Sequence, residues 1–233
     1  MRILKKSIVL FTLIDVILVP VLSFTSCDKN RTYDEAQVKA AAVDLLEKSK
    51  MLNYVIFGEG IPASSVGGNQ EGAYAEADFM FLHSNGFSTI AELEAKIREV
   101  YTGGYSEYVI NTVLSPITVD GVMISNARYY QKYSDEINKT DPICIMVNKS
   151  YNYIFTDTVE YDYSTVYVKN VAKSVLYVSV MATVTNKDGQ SQTTELVFEL
   201  IEEDGGWRIN TNTFMNYNAY LDEYESIKDK PIK

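Results

Sequence analysis

Residues 176–211 read LYVSVMATVTNKDGQSQTTELVFELIEEDGGWRINT, and the fold class follows from them. Leu176, Val178, Val180, Ala182 and Val184 alternate with polar or larger residues, which is the period of a half-buried strand. Asn186-Lys187-Asp188-Gly189 carries the residue types of a hairpin turn. Thr194, Leu196, Phe198 and Leu200 then alternate with Glu195, Val197 and Glu199. Glu203-Asp204-Gly205-Gly206 turns the chain again, and Trp207, Ile209 and Thr211 share one face. Long antiparallel strands joined by hairpins are the expected result.

Upstream of this meander the period changes. Val38, Ala41, Ala42, Leu45, Leu46, Leu52, Val55 and Ile56 recur at three- and four-residue spacings, the stripe of a long helix that starts near Tyr33-Asp34-Glu35. Gly58 ends it and opens a glycine-rich segment through Gly72, expected to be a mobile loop. No G-K-[ST] follows those glycines, so a phosphate-binding P-loop is excluded. Ala73 to Leu82 reads as a strand. Thr89-Ile90-Ala91-Glu92 fits a capping box for a second helix, which Gly103-Gly104 should stop. Ser106 is placed to cap a short third helix carrying Val109, Ile110, Val113 and Leu114. Val122 to Tyr130 and Pro142 to Asn148 are β-prone runs. Helices first and an antiparallel meander afterwards predict an α+β domain, with N-terminal helices packed on a curved sheet. The domain is expected over 33–215, followed by a tail over 216–233.

The whole pattern resembles the NTF2-like (cystatin-like) superfold. Its carriers are the long first helix, the shorter helices and the hairpins that close with Gly205-Gly206-Trp207-Arg208-Ile209. The resemblance implies a bent sheet wrapping the helices as a half-open cone. A fainter resemblance, over about a third of the chain, is to the DL-endopeptidase inhibitors of Gram-positive bacteria. It rests on Ala77 to Leu82 and on Phe87-Ser88-Thr89-Ile90-Ala91-Glu92-Leu93 opening a helix that ends at Val100-Tyr101-Thr102.

The first 26 residues predict location. Arg2, Lys5 and Lys6 precede an almost wholly apolar run, Ser7 to Phe24, that ends in Thr25-Ser26-Cys27. That is the layout of a cleaved secretory signal. The cysteine at its end resembles a bacterial lipobox, which makes Cys27 the lipid anchor and 27–32 a tether. Phe24 stands where lipoboxes carry Leu, Val or Ile, and an ordinary secretory signal is the alternative. Asp15 and Pro20 disfavour retention as a membrane span. Cleavage before Cys27 removes Arg2, Lys5, Lys6 and Asp15. The mature chain then has 18 basic and 30 acidic residues, a net charge of -12, against -10 for the full 233 residues. Such acidity excludes nucleic acid as a partner, whose phosphates would be repelled. The expected location is extracytoplasmic and membrane-anchored.

Chemistry-bearing residues are sparse. With Cys27 lipidated, Cys144 is alone in an apolar run and reads as a small buried hydrophobe. His83 is the single histidine, expected at an exposed loop edge, so every Ser-His-Asp or Cys-His scheme would need it. No metal-ligand spacing occurs. No catalytic residue, metal site or cofactor is therefore assigned.

Tyrosine is the unusual feature, with 18 against nine Phe and one Trp. Tyr151, Tyr153, Tyr161 and Tyr163 lie among Asn152, Asp157, Glu160 and Asp162 and are the expected partner-binding face. The function expected is a non-catalytic binding or inhibitory lipoprotein of the bacterial cell envelope. It would meet an envelope protein or wall polymer, and the inhibitor resemblance implies a cell-wall hydrolase. The alternative is a small-molecule binder or acid/base enzyme using the cone as a pocket.

Overall fold

Asp34 starts the first helix by accepting from the backbone N–H of Ala36 (2.9 Å) and Gln37 (3.3 Å). The computed structural model describes residues 33–115, 117–119, 122–125, 127–151, 158–172, 175–186, 188–211 and 213. Helix α1 spans Glu35–Ile56, about 33 Å at the usual rise per residue. Its stripe is buried at Val38, Ala42, Leu45, Leu46, Leu52, Val55 and Ile56, with Ser49 and Asn53 buried among them.

The strand expected over Ala73 to Leu82 is two elements. Strand β1 covers Gln70–Glu71 and β2 only Tyr74–Glu76. Asp78 then accepts from the Phe81 N–H (2.8 Å) and caps helix α2, Phe79–Ser84. A short apolar run fits either period, and the cap decides between them. Helix α3, Ile90–Val100, has the expected capping box between Thr89 and Glu92. Gly103 and Gly104 do not stop it. The chain leaves the helix at Tyr101-Thr102, where the Thr102 N–H donates to the Ile209 carbonyl (3.0 Å). Gly103 opens helix α4, Gly103–Leu114, whose start is capped by Glu203 accepting from the Gly103 N–H (2.9 Å). Ser106 is buried within that helix, bonded to the Gly103 carbonyl, and is not its cap.

Strands β3 (Ile117–Val119) and β4 (Val122–Ser125) form a small hairpin. Strands β5 (Tyr129–Asp135) and β6 (Thr140–Asn148) complete a first sheet of order β1-β2-β6-β5. The second sheet has order β10-β9-β8-β7, from β7 (Thr158–Ala172), β8 (Val175–Thr185), β9 (Ser191–Glu203) and β10 (Gly206–Ile209). All pairings within the three sheets are antiparallel. The register sets Leu176 opposite Leu200, Val178 opposite Phe198 and Val180 opposite Leu196, so their side chains share one face. That face packs with α1, α3 and α4 in one core containing Leu45, Leu52, Ile56, Leu93, Ile97 and Val109. Each such side chain contributes about 1.5–3 kcal/mol by leaving water. Helices on antiparallel sheets, one of them strongly curled, make this an α+β fold.

The curl has a local cause in β7. Between Asp162 and Tyr167 the register slips against β8. Asp162 accepts from the Ser164 N–H (3.1 Å) and hydroxyl (2.6 Å). The Thr165 hydroxyl donates to the Asp162 carbonyl (2.6 Å) and accepts from the Met181 N–H (2.8 Å). Extra residues held this way bend a strand and raise its twist.

Candidate functional site

Of the expected tyrosine face, Tyr161 is buried and Tyr151 and Tyr163 are half-buried. Tyr161 and Tyr163 lie on β7, not on a loop. Tyr161 is 8% exposed and donates to the Thr213 carbonyl (2.8 Å); burial pushes its phenol up to about 12. Tyr163 is half-buried against the core, its ring 6.0 Å from that of Tyr161. Its buried hydroxyl makes no well-formed hydrogen bond but lies near the Glu47 carboxylate. Burial first, then Glu47, pushes it up. Tyr151 is half-buried below the Arg128 guanidinium (5.1 Å). Tyr153 lies outside the described residues, as do Cys27, the leader and the tail over 216–233. The physical reason is area. Tyr161 and Tyr163 cover the inner side of the bent edge strand, where aromatic surface gains more from packing than from water.

Two buried polar arrangements hold the helices to the sheet. In the first, Asn53 of α1, Tyr101 and Thr213 converge. The Asn53 amide donates to Thr213 Oγ1 (3.2 Å), and Tyr101 Oη lies 3.0 Å from the same oxygen. Tyr161 adds its bond to the Thr213 carbonyl. These groups satisfy one another at the helix–sheet seam and pin the chain beyond β10.

The second is centred on Arg128, which is 3% exposed. Its Nη1 donates to the Ile56 carbonyl (2.8 Å) and its Nη2 to the Gly58 carbonyl (2.6 Å). The guanidinium stands 5.4 Å from the Tyr129 ring and 5.1 Å from the Tyr151 ring. No basic residue occupies the last turn of α1, so Arg128 supplies from another element the cation that a helix C-terminus favours. Tyr129 donates to the Val55 carbonyl (2.7 Å) and accepts from the Ile61 N–H (3.0 Å), and burial pushes it up to about 12. Gly60 is required here. Its φ is +87°, and a Cβ would stand 2.1 Å from Arg128 Nη2. The start of the glycine-rich segment, expected to be mobile, is thus clamped to the end of α1.

Cys144 lies on β6 with its sulfur 3.7 Å from Met146 Sδ, and burial pushes its thiol up. A raised thiol is poorly nucleophilic. His83 lies on α2, exposed as expected but on a helix, not a loop edge. Among the described residues no group of three or more His, Cys, Asp or Glu is placed to hold a metal ion.

The surface feature of most consequence is α2. Phe79 is 70% and Met80 71% exposed, although large apolar side chains on a six-residue helix could have been turned inward. Leu82 is the buried contact of α2, and Phe81 packs beside Tyr54 of α1, with ring centroids 6.0 Å apart. Tyr54 is itself 40% exposed. Phe79 and His83, one turn apart, stack with centroids 5.9 Å apart and planes 9° from parallel. They form one wall of a groove of about 230 Å³ whose other residues are Leu82, Gly86, Phe87, Ser88 and Glu92. Glu92 accepts from the Ser88 N–H (2.6 Å), the Ser88 hydroxyl (2.9 Å) and the Thr89 N–H (3.0 Å). Those donors hold its carboxyl below the usual range, so it stays anionic. The surface face was hidden in the sequence because residues 79–82 read as a strand, in which Phe79 and Phe81 would share one side.

No family model matches this chain, and no curated protein or solved structure matches it.

Proposed function

We propose that this chain is a non-catalytic binding lipoprotein of the bacterial cell envelope, anchored through Cys27 and meeting its partner at the α2 face. The carrying observation is the exposure of Phe79 and Met80 above an otherwise buried apolar layer. The lipobox-like Thr25-Ser26-Cys27 and the charged, apolar leader support the anchor. No described helix is long and apolar enough to cross a membrane. The curled sheet, and the core that α1 side chains share with it, support an NTF2-like cone. The partner is an envelope protein, and the inhibitor resemblance makes a cell-wall hydrolase the first to test. The buried amide of Asn53, the hydroxyls of Tyr101, Tyr129 and Tyr161 and the Arg128 guanidinium are all engaged, which supports a scaffold role for this part of the interior.

The α2 face is tested on the full lipidated protein extracted in mild detergent. The wild type should migrate as a complex larger than the same chain refolded alone in that detergent. Phe79→Ser combined with Met80→Ser should return it to the free size, with a melting temperature within about 1 °C because both side chains are exposed. A wild type that migrates as the free chain, or a complex that survives the double substitution, contradicts the proposal.

A further inference from the structure

The groove beside α2 has a chemistry of its own. Phe79 and His83 line it as a stacked pair, and Phe79 is 70% exposed. The floor is hydrocarbon from Leu82 and Phe87, 6% and 3% exposed. Glu92 also lines the groove, its carboxylate held by three donors. A volume of about 230 Å³ admits one long side chain and little more. An anion would meet the carboxylate, and a purely apolar side chain would make no use of it. A flat cation on an aliphatic stem satisfies all three surfaces, because its stem lies on Leu82 and Phe87, its face on Phe79 and its N–H groups reach Glu92.

We infer that this groove is the anchor slot for one arginine side chain of a polypeptide partner. The inference rests on the α2 face being the partner surface and names what the partner must present there. The partial positive charge at the start of α3 opposes a cation, but Glu92 sits in that same first turn and carries a full negative charge against it. The net charge of -12 that cleavage before Cys27 leaves brings basic partners closer from a distance.

Glu92→Gln separates the charge from the fold, since glutamine at this position still completes a capping box. The test is a titration of the full chain with N-acetyl-Ala-Ala-Arg-Ala-Ala-amide, followed by amide NMR shifts. The neutral citrulline counterpart is titrated in parallel. Shifts at His83, Gly86 and Ser88 should saturate with a dissociation constant on the order of millimolar. Citrulline for arginine, Glu92→Gln and Phe79→Ala should each weaken binding about three- to tenfold. Equal binding of the two peptides, an unaffected Glu92→Gln protein, shifts away from the groove or no saturation would each overturn the slot. If the peptide fails while the detergent complex still depends on Phe79 and Met80, the slot is wrong and the face stands. If the complex is also insensitive, the face itself is wrong.

Discussion

Arg128→Met removes the clamp at the end of α1 without changing the length of the side chain much. Two carbonyls, those of Ile56 and Gly58, lose donors at 2.8 and 2.6 Å. Each buried acceptor left unsatisfied costs about 1–3 kcal/mol. The guanidinium also leaves the Tyr129 and Tyr151 rings, which is worth about 0.5–2 kcal/mol. Against this, methionine no longer carries a charge into the interior, which returns a few kcal/mol. Among the described residues no carboxylate forms an ion pair with Arg128, so no anion is orphaned by the change. The net loss should be about 2–4 kcal/mol, a fall in Tm of roughly 5–15 °C for a domain of this size. Arg128→Lys keeps the charge but not the two-pronged geometry, and should lose about half as much. Gly60→Ala should also destabilise, through its positive φ and through the guanidinium 2.1 Å from the new carbon. Combining it with Arg128→Met should cost less than the sum, because the clash with the guanidinium disappears while the Tyr129 hydroxyl, 2.4 Å from the new carbon, and the backbone strain remain. Thermal melts measure all four proteins, and hydrogen exchange at the Ile61 amide reports the loop directly. A Tm fall below about 2 °C for Arg128→Met, or full additivity with Gly60→Ala, would refute the clamp.

Tyr161→Phe should cost about 0.5–1.5 kcal/mol by removing the bond to Thr213 in a urea melt. Tyr129 and Tyr161 are both raised from 10 to about 12 in the folded state. Their protonated forms therefore support folding fully below pH 10, and that support drains away as pH rises from 10 toward 12. Urea midpoints should fall across that window, and a flat profile would contradict the burial of both rings. His83→Ala should change stability by less than about 0.5 kcal/mol, since the ring is exposed. Cys144→Ser should lower the melting temperature by placing a hydroxyl in an apolar strand, while binding to the partner is kept by the folded protein. Mass spectrometry of the mature protein should find lipid on Cys27; an unmodified start elsewhere refutes the anchor.

Where one period ran unbroken, the fold was legible from residues alone. The alternation over 176–211 gave the β8–β9–β10 meander, and the stripe from Val38 to Ile56 gave α1. The capping box at Thr89 and Glu92 marked α3 because both partners are local. What was not legible depended on distant groups. The start of α4 at Gly103 is capped by Glu203, a hundred residues on, which no local pattern announces. The strand β7 was missed because its bulge at Asp162 breaks the alternation that would announce it. Arg128 looks like any surface arginine until the carbonyls of Ile56 and Gly58 are seen around it. Asn53 offered a faint signal, a polar residue at a spacing reserved for the apolar stripe. For Tyr161 and Tyr163, composition alone does not say which face of a strand they occupy.

The proposed contact face is tested most directly by photo-crosslinking in intact cells, with a photoreactive side chain placed at Met80 or, as control, at Val197 on the outer side of β9. Both positions are exposed, 71% and 44%, so reach is not the difference between them. The account predicts a discrete crosslinked product from position 80, lost on Phe79→Ser, and none from position 197. No product at 80, or the same product from both positions, would contradict it.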